Sequence, residues 1–296
     1  MDLSILIPEY NHVCSQLVSD LQVQCERCGI EYEILVLDDG STCKDSTEKN
    51  RGINNLARCT FIERPENKGR AFTRNELVNR SQGKNLLFID SDAMVPVEKF
   101  ISSYMDFAEK EAVVFGGILH DKKHCGKEST LRYRYEKWAE PHFTAANRQK
   151  HPYQQLRSFN FMMPASVANR IPFDDDYTIT NRGNEDVLFG KQLKRLHIPV
   201  IHIDNPLYNT DIEDNKTFLK KTEEALETLK QMQEKIGNDS TLLKLHSALR
   251  KYHLSSFIGI LFRAFSPILR WNLTGSHPSV FLFQCYKIGY FSAIMH

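Results

Sequence analysis

Apolar positions along the first 120 residues alternate between two rhythms. Residues 3–8 form a largely apolar run of the kind a buried strand shows, and Val13, Leu17, Leu21 and Cys25 then recur at helical spacing before residues 31–37 return to strand. Strand, helix, strand in that order predicts a parallel pair joined by a right-handed crossover. The alternation continues with a helix over 45–56, a strand over 60–64, a helix after Gly69, a strand over 85–90, a helix over 97–111 and a strand over 112–119. A doubly wound α/β half is the expected result.

The second half is less regular. Residues 120–127 are polar, basic and Gly-containing, which predicts a mobile loop. Leu131, Tyr135 and Trp138 mark a helix over 129–140, residues 158–163 a strand, and Asp174 to Asp176 a turn. Asn184 is an N-cap candidate for a helix over 185–196, with a short strand over 200–203 behind it. A long charged helix over 214–236 stops at Gly237. Residues 253–273 and 280–294 are aromatic and aliphatic, but neither is an uninterrupted span of the ~20 apolar residues that crossing a bilayer requires. Two alternatives stay open for them, a helical layer packed on the α/β domain and an interfacial helix touching a membrane. The expected division is a domain over 1–212 and a C-terminal helical extension over 213–296.

Composition narrows the classes. A chain of 296 residues with 41% hydrophobic residues can bury a substantial core. Its 38 Lys and Arg nearly cancel its 37 Asp and Glu, so no global field attracts nucleic acid. Seven cysteines without framework spacing, in a chain whose first strand begins at Leu3, favour a reducing cytoplasm. The lone pair Cys25 and Cys28 lacks the second pair that a zinc site needs, so helix packing is the expected use.

Candidate chemistry sits where strands end, which is where open α/β sheets bind ligands. Asp38-Asp39-Gly40-Ser41 and Asp90-Ser91-Asp92 each close an apolar run, and Glu185-Asp186 follows later. The order suggests a nucleotide contact, a divalent metal and a general base. The first strand ends in Pro8-Glu9-Tyr10-Asn11, without the glycines of a dinucleotide fingerprint, which argues against a nicotinamide enzyme. Tyr10 can offer a ring face to a base, and Asp38 or Asp39 can accept from a base N–H or a ribose hydroxyl. Turn chemistry alone also explains Asp, Gly and Ser there. Asn67-Lys68-Gly69-Arg70 precedes a helix, a ready place for an anion, although ordinary capping explains Asn67 and Lys68 nearly as well. Two carboxylates at Asp90 and Asp92 would repel a diphosphate unless a hard cation such as Mg²⁺ or Mn²⁺ sat between them.

Five segments taken together, Ile7-Pro8-Glu9-Tyr10-Asn11, Leu37-Asp38-Asp39-Gly40-Ser41, Asn67-Lys68-Gly69 with Arg74-Asn75, Phe88-Ile89-Asp90-Ser91-Asp92 and Asn184-Glu185-Asp186, resemble the ordered signature of family 2 glycosyltransferases. The resemblance implies a GT-A fold, the nucleotide-diphospho-sugar transferase type, with a doubly wound and mostly parallel central sheet. It implies inverting transfer of a hexose-type unit from a nucleoside-diphosphate sugar, UDP-linked by preference, to a glycan or lipid-linked acceptor, as in bacterial cell-surface polysaccharide assembly. Pro8, Tyr10, Asp38, Asp39, Asn67, Gly69, Arg74, Asn75, Asp90 and Ser91 would then line the donor site. Asp92 would be the more direct ligand of Mn²⁺ or Mg²⁺, with Asp90 nearer the ribose, and Asp186, beside Glu185, would take the acceptor's proton. Many family members place a metal-ligating His beyond the Glu-Asp pair, where this chain aligns Asn209, and His202 is the alternative. Location in the cytoplasm, with or without peripheral contact on the inner face of the membrane, follows. The rival from another class is a nucleotide-sugar or glycan-binding module without turnover, and a nucleotidyltransferase is disfavoured because its Gly-rich N-terminal loop is missing.

Overall fold

The first strand is buried on both faces, which is why its apolar residues run on without polar alternation. A computed structural model of the chain describes residues 1–128, 130–154, 156–173, 185–237 and 240–295, with the backbone alone for Glu185. The turn expected at Asp174 to Asp176 and the cap at Asn184 lie outside the described residues.

The strands are β1 (Leu3–Glu9), β2 (Tyr32–Asp38), β3 (Cys59–Glu63), β4 (Asn85–Ile89), β5 (Ala93–Met94), β6 (Val113–Phe115), β7 (Ile118–His120), β8 (Asn160–Pro164), β9 (Val200–His202) and β10 (Leu207–Asn209). The helices are α1 (Ser15–Cys28), α2 (Lys44–Arg51), α3 (Arg70–Arg80), α4 (Phe100–Met105), α5 (Thr130–Ala139), α6 (Ala145–Gln149), α7 (Ala165–Ala168), α8 (Glu185–Arg195), α9 (Asn215–Gln231), α10 (Gln233–Ile236), α11 (Thr241–Lys251), α12 (Leu254–Thr274) and α13 (Val280–Ile294).

Among the described residues seven strands form the main sheet in the order β3-β2-β1-β4-β8-β6-β9, and a small sheet runs β5-β10-β7. The mixed α/β architecture with a mostly parallel central sheet is the one expected. Within the main sheet, among the described residues, only β8 runs against its neighbours, β4 and β6. In-register pairing of β1 with β2, from Leu3 opposite Tyr32 to Glu9 opposite Asp38, aligns the two acidic strand ends. On one face, Leu17, Val18, Leu21 and Cys25 of α1 pack against Ile5, Ile7, Ile34 and Val36. All seven cysteines are free thiols, and Cys25 is a buried packing residue of α1.

Four expected elements change. The helix over 45–56 ends at Arg51, and the helix over 214–236 is divided at Met232 into α9 and α10. The helix over 97–111 is shortened to the six residues of α4. The strand over 112–119 is broken into β6 and β7, which belong to different sheets. Gly116 and Gly117 cause the break: a Cβ on Gly116 would lie 2.1 Å from Asn160 Oδ1, and Gly117 turns at φ +105°.

The chain divides into two compact units. The first comprises residues 1–119, 143–175 and 190–210 and contains the main sheet. The second takes residues 120–142, 176–189 and 211–296, so the C-terminal helices are joined there by α5. Within it, Leu131 of α5, Leu219 of α9, Leu273 of α12 and Phe283 and Tyr286 of α13 form one apolar cluster. Asp214 caps α9 by accepting from the Lys216 and Thr217 amides at 2.9 and 3.0 Å.

Candidate active site

Because β1, β2 and β4 are parallel neighbours, their C-terminal ends emerge together on one edge of the first unit, at the point where the strand order reverses. Glu9, Asp38, Asp39 and Asp90 all stand at these ends. Glu9 is 1% exposed; its Oε1 accepts from the His12 amide at 2.6 Å and its Oε2 from the Ser41 hydroxyl at 3.3 Å. Burial, with the Asp38 carboxylate adding its repulsion, pushes the Glu9 carboxyl up to about 7. Asp38 accepts from the Ser41 amide at 2.8 Å, closing the turn that Gly40 makes possible. Gly40 sits at φ +71°, and a Cβ there would lie 2.6 Å from the Asn67 nitrogen.

Asp39 faces inward. Its Oδ1 accepts from Arg64 Nη1 at 2.6 Å and the Lys68 amide at 2.8 Å, and its Oδ2 accepts from the Gly69 amide at 2.8 Å. One carboxylate thus holds the loop that carries Asn67, Lys68 and Gly69 into α3. Arg64 is itself buried between Asp39 and Glu76. Asn67 is exposed at the tip of this loop, and the Lys68 ammonium sits 4.9 Å from the centre of the Phe72 ring.

The buried Arg74 and the half-buried Asp90 form a second couple. Arg74 Nη2 donates to Asp90 Oδ1 and to the Ser158 carbonyl, each at 2.8 Å, while the exposed Arg70 reaches Asp90 Oδ2 at 3.7 Å. Asn75 is turned away, donating to and accepting from the Phe173 backbone at 2.9 and 2.8 Å. Both polar ends of its amide are therefore spent on structure. Pro8 and Ser91 are half-buried, and Tyr10 remains 47% exposed just past β1.

The third element pairs residues far apart in sequence. Antiparallel β5 and β10 set Asn209 opposite Ala93, and Asn209 Nδ2 donates to Asp92 Oδ2 at 2.8 Å. Thr210 secures the same strand end through the Asp92 carbonyl, which accepts its amide and its hydroxyl at 2.9 Å each. Asn209 is buried and its Oδ1 has no partner. Among the described residues no three His, Cys, Asp or Glu side chains gather closely enough to hold a metal ion. The alternative ligand His202 is occupied: Nδ1 lies 3.2 Å from Arg148 Nη1 and Nε2 3.0 Å from the Pro152 carbonyl. Burial, reinforced by Arg148, lowers its pKa to about 4, as befits a neutral core histidine. Both ring nitrogens of His202 are thus engaged within the first unit.

Asp186 lies in the second unit, half-buried in the first turn of α8, where the helix dipole favours an ionised carboxylate. Glu185 opens the same helix. Trp138 on α5 is 52% exposed, its ring 6.1 Å from that of Tyr135.

Sequence reasoning missed Glu9, Arg64 and Ser158. A signal existed for Glu9, since parallel strands ending in Glu9 and Asp38 bring their acids side by side.

The family model for glycosyl transferase family 2 matches residues 4–171, more than half of the chain. The chain belongs to this family. Relatives of the family 2 chain include an uncharacterized glycosyltransferase of Bacillus subtilis, YfnE, 23% identical over 206 residues that make up 67% of this chain and 50% of that protein. An uncharacterized glycosyltransferase of Haemophilus influenzae is 31% identical over 33% of this chain and 38% of its own length. The chain spans half or less of the length of the curated relatives it matches. Among solved structures, the mannosyltransferase PcManGT of Pyrobaculum calidifontis, in complex with GDP-Man and Mn²⁺, superposes with a TM-score of 0.59 at 12% identity, covering 99% of this chain and 86% of that one. TarS 1-349 of S. aureus in complex with UDP-GlcNAc gives 0.53 at 17% identity, covering 99% and 91%. These likenesses establish the fold of the family 2 chain as that of GT-A glycosyltransferases.

Proposed function

We propose that the chain transfers a hexose-type sugar, with inversion, from a nucleoside-diphosphate donor, UDP-linked by preference, to a glycan or lipid-linked acceptor in cell-surface polysaccharide assembly. The observation that carries this reading is the acid-rich edge built by Glu9, Asp38, Asp39 and Asp90, flanked by the Asp92–Asn209 pair. Family membership supports it, and the two solved neighbours were captured with nucleotide sugars.

In this reading Tyr10 stacks on the base and Asp38 accepts from a base N–H or ribose hydroxyl. Asp39 acts by positioning, since both its oxygens already hold the 64–69 loop. Lys68 and Arg70, at the start of α3, supply positive charge for the diphosphate. Asp90, fixed by Arg74, lies toward the ribose. Asp92 and Asn209 would hold Mn²⁺ or Mg²⁺; the buried, unpartnered Asn209 Oδ1 and the Asp92 carboxylate are the hard oxygen donors that such cations take. When bound, the cation neutralises charge on the departing diphosphate. Asp186 takes the proton of the acceptor hydroxyl, a role that rests on motif order.

Calorimetric titration with UDP and Mn²⁺, run beside a transfer assay over several donors, tests the proposal. Asp92→Ala is expected to lose metal-stimulated donor binding, and Asp186→Asn to keep donor binding while losing transfer. Full turnover in either variant removes the corresponding role. Asn209, standing where a charged or imidazole ligand is usual, favours one rival, the binding module; donor binding without turnover on any donor would establish it.

A further inference from the structure

The C-terminal helices carry a charge asymmetry that the chain as a whole conceals. Residues 240–296 contain six of the chain's 38 Lys and Arg and none of its 37 Asp and Glu. Among the described residues, the same stretch holds the most exposed large apolar side chains. On α12, Phe257, Ile260, Leu261, Phe265, Ile268 and Trp271 recur every three or four residues and wind along one face. Ile268 is 63% exposed and Trp271 79%. The opposite face is already satisfied: Phe262 and Leu269 pack on a cluster of Leu273, Phe283 and Tyr286. Folding therefore accounts for one side of this helix and leaves the other as surplus apolar surface.

We propose that α12 docks flat on an anionic phospholipid surface, its outer stripe sunk into the boundary between headgroups and acyl chains. An amphipathic helix with a bulky aromatic and aliphatic face beside Lys and Arg is built for that boundary. Arg263 and Arg270 lie seven residues apart on one flank of the stripe, Arg263 donating to the Ala293 carbonyl at 2.9 Å and Arg270 pairing with Glu223 at 2.7 Å. Both remain exposed, within reach of headgroup phosphates. Arg250 and Lys251 close α11, immediately before α12 begins. Phe281, 74% exposed at the start of α13, adds a further apolar anchor.

Two other fates for the stripe fit less well. No single helix among the described residues is long and apolar enough to cross a membrane; α11 and α12 reach that length and composition only as a pair, and they meet at a bend of 109°. A second copy of the chain in a two-fold contact would set Arg250, Lys251 and Arg263 against the same residues, like charge against like. A phosphate-bearing lipid surface complements both the charge and the apolar face.

Vesicle flotation of the full chain tests the proposal. The chain is expected to float with vesicles of phosphatidylcholine mixed with phosphatidylglycerol, and far less with pure phosphatidylcholine, the difference shrinking as salt is raised. The chain has two tryptophans, so Trp138→Phe leaves Trp271 as the sole reporter. Its emission should move to the blue on anionic vesicles and be quenched by brominated lipid. The double variant Ile268→Ser with Trp271→Ser replaces outward side chains and should keep its circular dichroism and melting midpoint while partitioning about tenfold less. Failure of the full chain to float with anionic vesicles overturns the proposal, as does undiminished flotation of the double variant. A dimer in solution that the double variant dissociates, without vesicle binding, assigns the face to a second copy and overturns it equally.

Discussion

Glu9→Gln should stabilise the first unit in mild alkali and destabilise it slightly in acid. The Glu9 carboxyl is buried beside Asp38 and titrates at about 7 instead of its ordinary 4.5. Below 4.5 it is protonated in folded and unfolded chains alike. Between 4.5 and 7 the folded chain holds a proton that the unfolded chain has released, so stability falls as pH rises, by about 1.4 kcal/mol per unit. Above 7 the loss is complete, at about 3 kcal/mol. Glutamine carries none of this pH dependence. It still accepts from the His12 amide but weakens the contact with the Ser41 hydroxyl, for about 1 kcal/mol. The variant should therefore be about 1 kcal/mol less stable near pH 4 and about 2 kcal/mol more stable near pH 8, crossing between. Both tryptophans, Trp138 and Trp271, belong to the second unit, so fluorescence reports on the wrong part. Native-state hydrogen exchange of the β1 peptide, followed by mass spectrometry and corrected for intrinsic exchange, reads the right one. A difference between variant and parent that does not change with pH would refute the reasoning.

Asp39→Ala leaves Arg64 with Glu76 as its remaining carboxylate and frees the amides of Lys68 and Gly69. It should cost about 1–3 kcal/mol, seen as exchange spreading through residues 64–69 in the same measurement. Gly40→Ala meets the Asn67 nitrogen at 2.6 Å at a φ of +71°; it should cost at least about 1–3 kcal/mol and weaken donor affinity by displacing the same loop, as calorimetry with UDP would show.

Legibility in the sequence followed locality. Strands β1 to β4 and helices α1 and α3 were readable because buried parallel strands and one-sided helices impose unmistakable periods on short stretches. The acidic strand ends were readable for the same reason. What escaped was anything set by distant neighbours. The split of β6 from β7 depends on Asn160 and Asn205 crowding Gly116, and the antiparallel insertion of β8 leaves no trace in its own five residues. Asn75 looked like a donor contact until the Phe173 backbone claimed it, and His202 stood in an apolar strand whose partners, Arg148 and Pro152, lie some fifty positions upstream. The inward turn of Asp39 was hidden likewise, since adjacent aspartates look alike until the 64–69 loop folds against one of them.

The bond between Asp92 and Asn209 spans 117 positions and is made by the last short strand of the first unit. During synthesis, Asp92 leaves the ribosome long before the strand that will fix it exists. A nascent chain halted before residue 207 would carry the acidic edge of β1, β2 and β4 without Asn209 to complete it. The proposed cation site therefore waits on residues 207–209, and termination anywhere upstream of them yields a product lacking one of its proposed cation donors.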